Sequence, residues 1–128
     1  MSEFDNNKPY IKKAILKNGL VYVYDAGNFR MVGLNQQTGK VKWTTEKYSV
    51  STMTAYCFDS SGNFYVGGYY GPNAMKINKS GRVLWNADHI KDTYYCPTKM
   101  EIKNNKLYVT FKTPKVTIKI NASTGKKI

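Results

Sequence analysis

Three nearly identical phrases, LNQQTGKVKW at 34–43, INKSGRVLW at 77–85 and INASTGKKI at 120–128, constrain this chain more than anything else in it. Their glycines, Gly39, Gly81 and Gly125, lie 42 and 44 residues apart, and Trp43 and Trp85 are 42 apart. The tyrosines of VYV, FYV and LYV (Tyr22, Tyr65, Tyr108) are spaced 43 and 43. A fixed period of this size means one supersecondary unit copied along the chain, each copy burying its apolar face against its neighbour. At 128 residues, the copies share one domain rather than forming independent ones.

Within each copy, apolar residues alternate with period two in short runs bounded by Gly, Asn, Asp, Ser or Pro, the pattern of antiparallel strands joined by tight turns. No stretch has the period of an amphipathic helix. Strands are predicted near 11–16, 20–25, 30–35 and 40–45, then 53–58, 63–69, 74–78 and 82–87. The third copy gives 98–103, 106–112, 115–121 and a stub at 126–128. The expectation is all-β: three four-stranded antiparallel propeller-type blades, at about 10–47, 52–90 and 95–128, in a single domain over 1–128.

VYVYDAGNFRMVGLNQQTGKVKW and FYVGGYYGPNAMKINKSGRVLW resemble the pyrroloquinoline-quinone (PQQ) type repeat of quinoprotein-like β-propellers. That resemblance implies that Trp43 and Trp85 dock between neighbouring blades and that the glycine turn links third and fourth strands. Asn35, Asn78 and Asn121 stand where the family more often has Asp, and the third copy has no tryptophan. The family's dehydrogenases use calcium ligands and, in many members, adjacent cysteines over the cofactor. Cys57 and Cys96 are not adjacent and no acidic pair suits calcium, so no PQQ and no other cofactor is expected.

Closed propellers carry about four to eight blades. Three blades leave two faces without neighbours, and three readings follow. The ring is completed by self-association, a homodimer of six blades being the favoured partner expectation; or the chain is a piece of a longer protein; or the last blade's outer face is polar enough to stand in water. The alternation of KVTIKIN, with Lys115, Thr117 and Lys119 to one side and Val116, Ile118 and Ile120 to the other, bears on the third reading. Lys76 occupies the same column in the second copy, where a lysine can snorkel past a neighbour.

The formal net charge is +12, from 20 basic and 8 acidic residues. Residues 91–128 carry nine of the basic and two of the acidic ones, so the last third makes most of the field. Such a field attracts polyanions; lysines on strand surfaces also keep a β protein soluble and block edge pairing.

Catalytic constellations are absent from the sequence. His89 is the single histidine, the acids are scattered, and the two cysteines read as reduced, partly buried thiols, so neither an enzyme nor a metal site is expected. The first residues, MSEFDNNKPYIKK, hold no apolar core segment, so the expected location is cytoplasmic.

Binding remains. Loops joining second to third strands, and one blade to the next, gather on one side of a propeller. Here those loops bring tyrosine and base together: Arg30, Lys47, Tyr48, Tyr69, Tyr70, Tyr94, Tyr95, Lys112 and Lys115 are the candidate ligand-binding residues. Aromatics interleaved with cations suit an anionic ligand, a nucleotide or nucleic acid. A carbohydrate-binding module and a protein-interaction scaffold are the alternatives.

Overall fold

In the computed structural model, residues 11–17, 19–50, 53–68, 74–87, 95–113 and 115–128 are described, the side chains of 11, 12, 95, 96 and 113 excepted. They form three antiparallel sheets, with no helix among the described residues. Blade 1 runs in order through β1 (Ile11–Lys17), β2 (Leu20–Asp25), β3 (Arg30–Asn35) and β4 (Val41–Thr44). Blade 2 repeats this with β5 (Met53–Phe58), β6 (Phe64–Gly68), β7 (Met75–Ile77) and β8 (Val83–Asn86). Blade 3 has β9 (Tyr95–Lys103), β10 (Lys106–Thr113) and β11 (Lys115–Asn121). Its fourth strand is a single bridge between Ile120 and Lys127, where the sequence predicts only a stub.

β9 starts three residues before the expected 98. A register shift between Thr110 and Phe111 lets pairing continue through Pro97 to Tyr95. Proline reads as a breaker in sequence, but β9 lies at the edge of its sheet, where a missing N–H costs no ladder bond.

Each blade has a trailing face, turned toward the next blade, and a leading face, turned toward the one before. On blade 1 the trailing residues Tyr22, Tyr24 and Met31 meet the leading Phe64, Val66, Met75 and Ile77 of blade 2 in one buried cluster. Tyr22 stands edge-on to Phe58, with ring centroids 5.0 Å apart. The next junction joins Ala55, Tyr65 and Ala74 of blade 2 to Met100, Leu107, Val109, Phe111, Ile118 and Ile120 of blade 3. Period-two alternation thus feeds two junctions from opposite faces of one sheet.

The tryptophans lock these junctions. Trp43 lies against its own blade's Gly33 and the turn glycine of blade 2; a Cβ on Gly33 would fall 2.3 Å from the indole, and one on Gly81 2.4 Å from it. Its Nε1 donates to the Lys79 carbonyl at 3.0 Å. Trp85 repeats the contact one blade on: a Cβ on Gly125 would be 2.5 Å from the indole, and Nε1 donates to the Ala122 carbonyl at 2.9 Å. The turn glycine is therefore required twice, by a left-handed φ (+83° at Gly81, +77° at Gly125) and by the ring lying on it. Gly39 has the same φ, +71°, but nothing within 4 Å of a Cβ, because no indole docks there.

The Asn column has a local cause. Asn35 Oδ1 accepts from the backbone N–H groups of Gln37 and Thr38, and Asn78 and Asn121 repeat the cap on their own turns. An Asn or Asp side chain that closes such a turn on its own backbone serves equally well, so the departure from Asp leaves the turn intact.

Candidate functional site

Two regions carry the residues expected to bind ligand, and they are built differently. In the first, the β2–β3 loop of blade 1 meets the segment after β4. Arg30, expected at the surface, is instead 5% exposed, and its Nε donates to Asp25 Oδ2 at 3.4 Å. This corrects the surface reading: Arg30 and Asp25 are cross-strand partners on one face of the sheet, and a buried guanidinium is tolerable only beside such a carboxylate. Asp25 also accepts from Asn28 Nδ2 at 2.8 Å and from the Gly27 N–H at 3.1 Å. Arg30 therefore shapes the loop and presents no charge to solvent.

Lys47 and Tyr48 are exposed on the adjoining segment. Tyr48, 65% exposed, has φ +62°, and its N–H donates to the Asn28 carbonyl at 3.0 Å. Its ring sits 5.8 Å from that of Phe29, itself at φ +51°. No sequence signal marks Phe29, because its neighbour Tyr48 lies 19 residues away and only the fold brings the two rings together. Tyr69, Tyr70 and Tyr94 lie outside the described residues, as does His89, and Tyr95 is described only as the first backbone position of β9.

The second region is the trailing face of blade 3. Lys112 and Lys115, expected where strands 106–112 and 115–121 meet their loop, face each other across the β10–β11 pair. Register puts further lysines on the same face: Lys103 opposite Lys106, Lys99 opposite Thr110, and Lys119 opposite Tyr108. All six lysines are exposed. The one acid among them, Glu101, lies 3.6 Å from Lys99. With strands about 4.8 Å apart and same-face residues about 6.7 Å apart along a strand, the six occupy a patch of roughly 10 by 20 Å. Two of the cross-strand pairs are lysine against lysine, a placement that destabilises a sheet.

The same columns of blade 2 are covered. Lys76, equivalent to Lys119, lies 5.5 Å over the Tyr65 ring and donates to the Ala122 carbonyl at 2.9 Å. Lys119 repeats the aromatic contact, 5.9 Å over Tyr108, but faces solvent. Beside it, Thr110 and Thr117 share a hydroxyl hydrogen bond of 3.1 Å.

A cleft of about 400 Å³ opens between the β5–β6 and β9–β10 turns, with Asp59, Tyr65, Ile102 and Asn105 among its lining residues. Burial works against the ionised Asp59, but hydrogen bonds from the Asn63 side chain, the Tyr65 hydroxyl and the backbone N–H groups of Asn63 and Ser61 outweigh it and hold the carboxyl below its usual range. Those four bonds occupy both oxygens, so Asp59 closes a turn rather than serving as a base. Burial, with the charges of Asp59 and Glu101, pushes the Cys57 thiol up to about 12, the state of an inert thiol. No group of three His, Cys, Asp or Glu side chains that could hold a metal occurs among the described residues, and no described helix is long and apolar enough to cross a membrane.

No family model matches the chain, and no curated protein does. Solved structures do match. The computationally designed protein Ika8 superposes with a TM-score of 0.71 at 17% identity, over 91% of this chain and 35% of its own. BamB from Moraxella catarrhalis gives 0.60 at 23% identity, over 84% of this chain and 31% of its own. A quinohemoprotein alcohol dehydrogenase from Pseudomonas putida gives 0.63 at 19% identity, over 89% of this chain and 19% of its own. The chain spans well under two thirds of the length of each. BamB and the dehydrogenase are β-propellers with PQQ-like repeats, and at these identities the likeness is one of fold: the three sheets are consecutive blades of a β-propeller.

Proposed function

We propose that this chain is a non-catalytic binding module of β-propeller type that takes a polyanion, nucleic acid in the first instance, on the lysine face of blade 3. One observation carries the reading. Six exposed lysines and one glutamate share a face whose counterparts in blades 1 and 2 are buried junctions. Solubility needs charge of mixed sign; it does not need lysine placed directly opposite lysine twice, against the cross-strand rule. A polyanion lying across the patch relieves that repulsion and releases its own counterions.

Self-association into six blades competes with this reading for the same surface. Ring closure would set the six ammonium groups against the apolar cluster of Val21, Val23, Val32, Leu34 and Val41 on the leading side of blade 1, and desolvating six cations that share one carboxylate is costly. The test is binding of single- and double-stranded oligonucleotides across a salt series. The proposal expects log affinity to fall linearly with log salt, with the slope reduced by roughly one for each patch lysine changed to glutamine. A salt-independent affinity, an unchanged slope in Lys103→Gln and Lys115→Gln, or a solution mass of two chains with these lysines protected from acetylation would overturn it.

A further inference from the structure

The loop pair of blade 1 has a property that neither junctions nor charge explain. Phe29 and Tyr48 both have left-handed backbones, φ +51° and +62°, which cost bulky residues energy that Gly or Asn does not incur. The remaining non-glycine residues of this kind among those described, Asn104 and Asn105, form the β9–β10 hairpin turn, where asparagine is the expected type. Aromatic residues have no such local reason. Nor does burial supply one for Tyr48, which is 65% exposed.

The strain is held from beneath. Asp25 and Asn28, both 0% exposed, are hydrogen-bonded to each other. The Asn28 carbonyl accepts the Tyr48 N–H, and the Phe29 carbonyl accepts the Val50 N–H, each at 3.0 Å. Thr45 and Ser49 hydroxyls bond each other at 2.8 Å, and the Ser49 hydroxyl donates to the Glu46 carbonyl at 2.6 Å. The Asp25, Thr45 and Ser49 side chains are thus turned onto the loops themselves, while Glu46, Lys47 and Tyr48 stay exposed, the Tyr48 ring lying 5.8 Å from the half-buried Phe29 ring and inclined to it by 33°.

We propose that Phe29 and Tyr48 form a preorganised stacking platform for a planar aromatic ring of nucleobase type. A sugar would need hydrogen-bonding groups converging on the ring faces, and the Asp25, Thr45 and Ser49 side chains nearest them are spent inward; a π-face needs only another π-face. The site is separate from the lysine face and does not rest on it, because stacking on two uncharged rings needs no charge on the ligand.

The experiment titrates the full chain with adenosine, a neutral probe, by chemical-shift perturbation in high salt, where polyanion contacts are screened. Adenosine is expected to shift the Tyr48 and Phe29 ring signals saturably. Tyr48→Asn, which removes the ring and suits the left-handed backbone, should melt no lower than the parent while weakening adenosine at least tenfold. Tyr48→Trp should restore or exceed parental binding. No saturable shift, equal affinity in Tyr48→Asn, or saturation by methyl glucoside in place of adenosine would overturn the proposal. Failure of oligonucleotide binding at low salt, with adenosine binding kept, would count against the lysine face alone.

Discussion

The trailing faces of blades 2 and 3 are the same surface of the repeat put to two uses. On blade 2 the columns carry Ala55, Tyr65, Ala74 and Trp85, and blade 3 covers them. On blade 3 the corresponding positions carry Lys99, Tyr108, Thr117 and Ile128, and the ends of the columns add Lys103, Lys112 and Lys115. Ile128, whose N–H donates to the Lys119 carbonyl at 3.0 Å, sits where Trp85 sits beside Lys76, yet it is 61% exposed. The backbone scheme, the lysine over the tyrosine and the glycine turn all persist. What changes is the apolar content, which gives way to lysines, a threonine and an exposed isoleucine. The covered face draws its stability from apolar contact with the next blade, and the lysine face of blade 3 makes no such contact among the described residues, so its charges keep their hydration.

The sharpest way to break the comparison is to remove what blade 2 has and blade 3 lacks. Trp85→Ala is expected to cost about 3 kcal/mol, the range for deleting a large aromatic at a packed site, and to lower the urea midpoint accordingly. Ile128→Ala, at the matching exposed position, should fall within about 0.5 kcal/mol of the parent. If both substitutions cost the same, the tryptophan is not what separates the faces.

Next come the turn glycines. Gly39→Ala meets no atom and should show only the left-handed backbone cost, about 1 kcal/mol. Gly125→Ala places a methyl 2.5 Å from Trp85 and should cost at least about 1 kcal/mol more. Thermal melts of the two variants isolate the docking contact from the turn.

The smallest expected effect has the opposite sign. Lys112→Glu turns a lysine pair into an ion pair across β10 and β11, and should leave stability unchanged or raise it by about 0.5 kcal/mol at low salt. A clear loss of stability would mean that the lysine is structural, and would remove the contrast with the covered face.

How far the sequence reaches can be judged residue by residue. Strand positions were legible because alternation is local, and the turns because Asn and Gly answer requirements within five residues of themselves. The fate of KVTIKIN was legible for the same reason: Ile118 and Ile120 are buried, while Lys115, Thr117 and Lys119 are exposed. Arg30 was misread because its partner, Asp25, is defined by strand pairing across a loop and not by sequence distance. Lys112 and Lys115 were placed by charge, but the face they belong to includes Lys99, Lys103, Lys106 and Lys119, which only the register of three strands brings together.

The sequence by itself therefore determined the repeat, through its period, and its strands, its turns and the apolar column that welds one blade to the next, since these are written in patterns shorter than a single copy. Tertiary structure alone decided which charged residues act together and which are withdrawn. It gathers six lysines from three strands onto one face, sinks Arg30 beside Asp25, and sets Phe29 against Tyr48 from loops 19 residues apart. Cross-strand neighbourhood, burial and ring geometry are properties of position in space, and no alternation of letters along the chain specifies them.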